Sequence, residues 1–272
     1  MGDFVQIAVE EKPTGAIATV TLGRPELHNA FNAQMIAELR EAFVGFGKNS
    51  PVRAIVLQGE GKSFCAGADL NWMRQMVDFS FTQNVEDAHA LASMFRAIQH
   101  CPKPVIARVH GAAFGGGVGL VAACDMAFAT ESASFCLSEV KLGLLPAVIS
   151  PFVLKKIGEA EARRYFLTAE KFTAAEAHRI GLISEVLPDE ATLDGRIEDI
   201  AKALCANGPE AIAQSKVLIE QVCHFDWERA VDITTKLIAE RRISAEGQEG
   251  MQAFLEKRSP AWMQREQPEH TK

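Results

Sequence analysis

Four glycines crowd into five positions of the segment HGAAFGGGVGL (110–120), where an apolar run that begins at a proline meets a predicted helix start. They are Gly115, Gly116, Gly117 and Gly119. Glycine weakens regular structure, because it loses more backbone freedom on folding than any other residue. The first turn of a helix has backbone N–H groups without partners, and these attract negative charge. The corner therefore predicts chemistry in which an oxygen gains negative charge close to the main chain.

A second segment, IVLQGEGKSFCAGADLNWM (55–73), has the same order of buried strand, small-residue loop and helix start. If the N–H groups of both loops converge, they form an oxyanion hole. The alternative is that the glycines only let helix and sheet pack closely. Spacing alone does not decide between the two, because a short glycine motif is a weak signal.

Two other motif matches carry less weight. GVGLVA (117–122) fits the dinucleotide fingerprint, but it lies far from the first strand–helix turn. The acidic residue that the fingerprint requires should end the next strand, whereas Asp125 begins it. SEVK (138–141) fits S-x-x-K without the partner motifs of a serine nucleophile. The histidines show no H-E-x-x-H spacing, so the sequence predicts no metal site.

Composition narrows the function classes. With 48% hydrophobic and 23% charged residues, the 272-residue chain has a composition typical of a soluble globular protein. A net charge of −7 without a basic block argues against nucleic-acid binding. No apolar run approaches the ~20 residues of a membrane helix, and the N-terminus lacks the pattern of a signal peptide. We expect a cytoplasmic protein, or a processed matrix protein, without a membrane partner. The six cysteines form no C-x-x-C pair and are expected to be free, mostly buried thiols.

Strands and helices alternate over most of the chain, and from Ala191 the pattern is almost unbroken helix. We predict an α/β core over residues 1–200 and a helical region over 201–272, with a frayed tail after Trp262. One predicted helix over 32–48 carries an apolar face. That face consists of Met35 or Ile36, Leu39, Phe43 and Phe46.

Three segments in order resemble the crotonase, or enoyl-CoA hydratase/isomerase, superfamily: SFCAGADL (63–70), HGAAFGGGVGLVAACDMAFAT (110–130) and FCLSEVKLGLLPAVISPFVL (135–154). The resemblance runs from VTLGRPELHNAFN (20–32) to EGQEGMQAFLEKRSPAW (246–262), nearly the whole chain. It implies an α/β spiral of ββα repeats with a C-terminal helical trimerisation region. The partners it implies are an acyl-CoA thioester and further copies of the chain, as a homotrimer or a dimer of trimers. Under this resemblance the bare corner lets a thioester oxygen lie against the backbone.

The resemblance also assigns the oxyanion hole, to the N–H groups of Ala68 and Gly116. They would polarise the thioester carbonyl and stabilise the enolate formed when a proton leaves or joins Cα. One such donor is worth ~3–4 kcal/mol of transition-state stabilisation.

Coenzyme A is expected along two short segments and near the C-terminus. The residues implied are Glu26, Leu27, His28, Ala66, Asp69 and Leu70, with Phe254 and Lys257 at the adenine and phosphate end, often from a neighbouring subunit. At Glu26 many family members carry a CoA-facing lysine. We therefore expect the Glu26 side chain to turn away and only its backbone to contribute. Coenzyme A enters as part of the substrate, and no separate cofactor is implied.

The acid/base pattern departs from the two-glutamate pattern of the family. Glu139 matches the second glutamate, whereas Gly119 occupies the position of the first. Glu139 is therefore expected to do the proton transfers alone. Local sequence by itself favours an exposed carboxylate paired with Lys141, but apolar walls would desolvate the carboxyl and raise its pKa.

One glutamate leaves three functions open. A hydratase would add water across C2=C3 of a 2-enoyl-CoA, an isomerase would move one proton between C2 and C4 of a 3-enoyl-CoA, and a non-catalytic subunit would only bind CoA. The closer resemblance, to methylglutaconyl-CoA hydratases of leucine degradation and isohexenylglutaconyl-CoA hydratases, favours the first. We expect the space at Gly119 to hold the reacting water or a branched acyl group. Residues 71–86 are expected to border the acyl pocket, with Arg74 a candidate partner for a distal carboxylate.

Overall fold

Strands and helices alternate in the computed structural model, which describes residues 2, 4–47 and 50–263. The strands are β1 (Val5–Lys12), β2 (Gly15–Leu22), β3 (Val52–Gly59), β4 (Val105–Val109), β5 (Ala112–Phe114), β6 (Met126–Thr130), β7 (Ser134–Cys136), β8 (Phe172–Thr173) and β9 (Glu185–Leu187). The helices are α1 (Ala33–Gly45), α2 (Leu70–Met76), α3 (Phe81–Gln99), α4 (Gly116–Ala123), α5 (Ser150–Thr168), α6 (Ala174–Arg179), α7 (Glu190–Ala206), α8 (Pro209–Val222), α9 (Trp227–Ile243) and α10 (Ala245–Leu255). Apart from Met263, the tail predicted after Trp262 lies outside the described residues. The mixed α/β architecture confirms the predicted fold class.

The main sheet has the order β1-β2-β3-β4-β6-β9. β1 and β2 form an antiparallel hairpin, and the other neighbours are parallel. Every residue of β4 is buried, as expected of a parallel strand covered on both faces. A smaller sheet, β5-β7-β8, stands beside it. Its first strand leads directly into α4, so this sheet positions the glycine corner.

Local signals in the sequence set the bounds of the first long helices. Asn32 caps α1 by accepting a hydrogen bond from the Met35 N–H. The predicted apolar face of α1 is buried, and Phe46 is buried just beyond the helix end. α3 begins at Phe81, earlier than its apolar periodicity indicates, because Ser80 and Gln83 form a capping box.

The helix α4 lies inside the protein. All of its residues from Gly117 to Ala123 are buried, and it contacts α3, α5 and β5. Gly115 precedes it with φ of 51°, in the left-handed region that favours glycine. The glycine-rich segment is therefore a tight corner followed by a closely packed helix.

The helix α7 runs through the predicted boundary at residue 200. Leu193, Ile197, Ala201 and Cys205 of α7 are buried in a cluster with residues of the main sheet, so the predicted boundary falls inside a helix that belongs to the core. α8, α9 and α10 contact one another. Within the described chain α8 and α9 bury no residue and α10 buries only Ala253.

All six cysteines are free, and only Cys223 is exposed. This confirms the prediction of free, mostly buried thiols. Among residues 2, 4–47 and 50–263, no helix combines the length and the apolar character that a membrane span requires.

Candidate active site

Three separate segments meet at the start of α4. A Cβ atom on Gly67 would lie 2.9 Å from the Phe114 carbonyl oxygen and 3.7 Å from the Gly116 nitrogen. A Cβ on Gly115 would lie 3.4 Å from Oε1 of Glu139. The structure therefore brings together the two small-residue loops and the predicted acid/base residue, although more than 70 residues separate Gly67 from Glu139 in the sequence.

The loop around Ala68 is tied to the main chain on both sides. The Phe31 N–H donates to the Gly67 carbonyl over 2.9 Å, and the Asp69 N–H donates to the Phe31 carbonyl over 3.0 Å. The Ala68 N–H, between them, has no acceptor in the described part of the chain.

The second candidate donor is the N–H of Gly116, the first residue of α4. The preceding Gly115 N–H donates to the Cys136 carbonyl over 2.8 Å, and Val118 and Gly119 donate back to the Gly115 carbonyl. No acceptor among the described residues takes the Gly116 N–H. A Cβ on Gly67, the residue before Ala68, would lie 3.7 Å from this nitrogen, so the two candidate donors belong to the same corner.

Glu139 lies beside Gly115, the residue before the Gly116 donor, and one of its carboxylate oxygens is unsatisfied in the described chain. Its Oε2 atom is buried and has no hydrogen-bond partner within the described residues. Burial raises the pKa of Glu139 above the ordinary value for glutamate, and a hydrogen bond from its own backbone opposes part of that shift. Local sequence favoured an ion pair between Glu139 and Lys141. The described chain contains no such ion pair. A carboxyl group whose pKa is raised in this way takes up a proton more readily than an ordinary glutamate, as general acid/base work requires.

The expected space at Gly119 does not exist. A Cβ on Gly119 would lie 2.4 Å from Cγ2 of Ile149 and 2.9 Å from Cζ of Phe95. Both side chains are buried, and they fill the volume in which we expected a water or a branched acyl group. That expectation was wrong, because Ile149, just before α5, and Phe95 of α3 pack directly on α4.

Most of the predicted CoA-binding residues lie on accessible parts of the loops. Leu27 and Leu70 are exposed, at 41% and 70%, and Glu26 and His28 are exposed as well. His28 also contacts Ser63, with 3.0 Å between its Nδ1 and the hydroxyl oxygen. The His28 carbonyl accepts from the Ala66 N–H over 2.9 Å, which joins the two predicted segments.

Asp69 is the exception, because its side chain is buried and fully engaged. The carboxylate accepts hydrogen bonds from Arg24 Nη2 at 2.7 Å, from the Asn71 N–H at 2.6 Å and from the Trp72 N–H at 3.3 Å. Burial by itself raises the pKa of Asp69, and these hydrogen bonds outweigh it, so the pKa lies below the ordinary value. The Asp69 carboxylate therefore anchors the loop, and the assigned place of this residue along coenzyme A stays a prediction. Sequence reasoning did not find Arg24, because nothing local to it signals a partner 45 residues away.

Phe254 lies in the last turn of α10, and Lys257 follows the end of that helix. Phe254 is 84% exposed, and the hydrogen bonds and ion pairs of the described chain connect neither residue with Ala68, Gly116 or Glu139. Their assigned role at the adenine end of CoA stays a prediction.

Comparison with known sequences fits this geometry. The profile of the enoyl-CoA hydratase/isomerase family matches residues 12–265, nearly the whole chain. The chain belongs to the enoyl-CoA hydratase/isomerase family. This confirms the resemblance drawn from the glycine corner and its neighbouring motifs, while the methylglutaconyl-type subgroup stays a prediction.

Several family members are similar to this chain in detail. The crystal structure of an enoyl-CoA hydratase from Shewanella pealeana ATCC 700345 is 42% identical, with a TM-score of 0.90 and coverage of 96% of this chain and 97% of that one. Enoyl-CoA hydratase ACTT6 of Alternaria alternata is 40% identical over 199 residues, which span 73% of this chain and 65% of that protein, just under two thirds of its length. Mevalonyl-coenzyme A hydratase sidH of Aspergillus fumigatus is 32% identical over 265 residues, 95% of each chain.

Proposed function

We propose that this family member is an enoyl-CoA hydratase, which adds water across the C2=C3 bond of a 2-enoyl-CoA thioester. The observation that carries the proposal is the half-buried Glu139, whose buried Oε2 has no partner in the described chain, at the same glycine corner as two backbone N–H groups without described acceptors. The N–H groups suit an oxygen that becomes negative, and the carboxylate suits the proton transfers that accompany it. The relatives that are named hydratases support the direction of the reaction.

In the proposed mechanism the Ala68 and Gly116 N–H groups hold the thioester carbonyl oxygen. Glu139 removes a proton from water while the water oxygen forms a bond to C3. The π electrons move onto the thioester oxygen, which gives an enolate held by the two donors. Glu139 then returns the proton to C2, the carbonyl re-forms and the carboxylate is restored. Every proton transfer passes through the one carboxylate.

For the acyl group we propose a branched or glutaconyl-type chain. The relation to a mevalonyl-coenzyme A hydratase supports a branched substrate. Since Ile149 and Phe95 close the space at Gly119, the branch is assigned to the side bordered by residues 71–86. There the exposed Arg74 bonds to Asn71 Oδ1 over 2.7 Å and has no carboxylate partner among the described residues, so it can meet a distal carboxylate.

The proposal includes the assembly and the absence of a separate cofactor. Coenzyme A arrives as part of the substrate, with Phe254 and Lys257 at its adenine and phosphate end. A homotrimer or a dimer of trimers is supported by exposed apolar side chains on the C-terminal helices, of which Trp227, Ile243 and Leu255 are 79–81% exposed. We place the protein in the cytoplasm.

A Δ3-Δ2-enoyl-CoA isomerase is the second candidate. It is favoured by the single carboxylate, because moving one proton between C2 and C4 needs one acid/base group and no water. The closed packing at Gly119 removes the position from which a second acid would act.

A parallel assay of the α,β-unsaturated thioester absorbance tests the proposal, with 3-methylglutaconyl-CoA, crotonyl-CoA and a 3-enoyl-CoA as substrates. Loss of the band with either 2-enoyl thioester supports a hydratase, and the faster substrate identifies the acyl class. Growth of the band from the 3-enoyl thioester, with both 2-enoyl thioesters unchanged, would make the protein an isomerase. Binding without any change would make it a non-catalytic subunit.

A further inference from the structure

Arg24 is a buried cation that the proposed mechanism does not use. It is 8% exposed and lies in the loop between β2 and α1, with its guanidinium 4.7 Å from the centre of the Phe4 ring. Its Nη1 donates to the Ala30 carbonyl over 2.6 Å, and its Nη2 donates to Asp69 over 2.7 Å. One side chain therefore clamps its own loop and the loop that carries Ala68.

The clamp reinforces hydrogen bonds that join the same two loops. Ala66 donates to the His28 carbonyl, Phe31 donates to the Gly67 carbonyl, and Asp69 donates to the Phe31 carbonyl, each over 2.9–3.0 Å. Asp69 also caps α2 through the N–H groups of Asn71 and Trp72. The N–H of Ala68 thus lies between the hydrogen bonds of Gly67 and Asp69 to Phe31, just before the capped start of α2.

Stability alone is a weak explanation for this pair. Removing two charges from water costs about as much as their attraction returns, so a buried ion pair contributes little net stability. The Nε atom of Arg24 is moreover buried without a partner in the described chain, which adds to the free-energy cost of burying this side chain. The rigid fork of the guanidinium does, however, fix the separation of the two groups that it binds.

We propose that Arg24 and Asp69 are positioning residues, which hold the Ala68 N–H in line with the Gly116 N–H at the thioester oxygen. This inference rests on the proposed function. Both residues are expected to affect how tightly the transition state is bound, but not how tightly the coenzyme A portion of the substrate is bound. A small displacement of an aligned group costs up to about 10²-fold in rate, so loss of the clamp lowers kcat and leaves KM almost unchanged.

The test uses the CoA thioester of 4-(dimethylamino)cinnamate, whose absorption band moves to longer wavelength when its carbonyl is polarised. Wild type, Arg24→Met, Arg24→Lys and Arg108→Met are compared for the band shift, for probe affinity and for turnover. Arg108 is the control, since it is also 8% exposed and is paired with the carboxylates of Glu190 at 2.9 Å and Asp194 at 2.5 Å, but lies on β4 and faces α7. If Arg24→Met does not fold, Asp69→Asn serves instead, because asparagine keeps the helix cap while it removes the charge.

The expected result is a reduced band shift and a roughly 10²-fold lower kcat in Arg24→Met, with probe affinity retained and Arg108→Met like wild type. Arg24→Lys is expected to recover only part of the shift, because a single ammonium cannot reproduce the fork. A full band shift in Arg24→Met would overturn the inference, and so would an equal loss in Arg108→Met. Absence of a shift in wild type would instead contradict the proposed function itself.

Discussion

Ile149 occupies the space that a side chain at position 119 would need. The Cγ2 atom of Ile149 lies 2.4 Å from where a Cβ on Gly119 would be built. Gly115, the residue that precedes α4, lies four residues before Gly119. The start of α4 therefore meets Glu139 at Gly115 and Ile149 at Gly119, and in the described chain Glu139 is the carboxylate beside this corner.

Gly119→Ala is expected to destabilise the protein by about 1–3 kcal/mol, the usual cost of overpacking a core. Gly195→Ala is the matched control, because Gly195 also lies within a helix but has nothing within 4 Å of its would-be Cβ. The control should gain roughly 0.5–1 kcal/mol, since alanine is the better helix former. Urea unfolding of both variants measures the difference, and equal stability of the two would contradict the packing described for α4.

Coupling between the two positions gives a second prediction. Ile149→Ala alone is expected to lose about 2–5 kcal/mol through the cavity that it leaves. Combined with Gly119→Ala it should lose less than the sum of the single effects, because the new methyl group enters that cavity. Additive losses in a double-mutant cycle would show that the two side chains do not share the space.

Gly67→Ala should lower kcat by up to about 10²-fold through misplacement of the adjacent Ala68 N–H. Gly67 has φ of +91°, and its Cβ would lie 2.9 Å from the Phe114 carbonyl oxygen, so the loop must move. Gly158→Ala is the control, with φ of +71° and nothing within 4 Å. It carries backbone strain without the clash, so it should lose stability and keep kcat. A Gly67→Ala variant with wild-type kcat would argue against Ala68 as a donor.

The raised pKa of Glu139 predicts opposite effects on activity and stability. Because its pKa is higher in the folded than in the unfolded protein, its favourable contribution is complete below the unfolded pKa and is lost as pH rises through the folded pKa. Glu139→Gln should therefore unfold at an equal or higher temperature than wild type at pH 7, and the difference should vanish in acid. In the same account, kcat/KM of wild type falls as pH drops through this raised pKa, because protonation removes the base. A variant that is less stable at pH 7 would contradict the desolvation of Glu139.

The sequence predicted the parts of the site that lie within continuous motifs. Three features lie in continuous segments whose local pattern indicates their role: the glycine corner, the small-residue loop and Glu139. The structure brings them together. It did not reveal Arg24, whose partner Asp69 is 45 residues away. It also misjudged Gly119, because whether a glycine leaves a void depends on which side chain packs over it, here Ile149 just before α5. Long-range packing of this kind has no local signature.

In the proposed reaction one carboxylate, Glu139, directs the addition of water to a 2-enoyl thioester. The most direct measurement is the mass of the acyl-CoA product formed in oxygen-18 water by wild type, Glu139→Gln and Glu159→Gln, an exposed carboxylate paired with Arg163. Wild type and Glu159→Gln are expected to give a product heavier by one labelled water, and Glu139→Gln is expected to leave the substrate unchanged. A product of unchanged mass with a displaced double bond, or labelled product from Glu139→Gln at the wild-type rate, would contradict the proposed reaction.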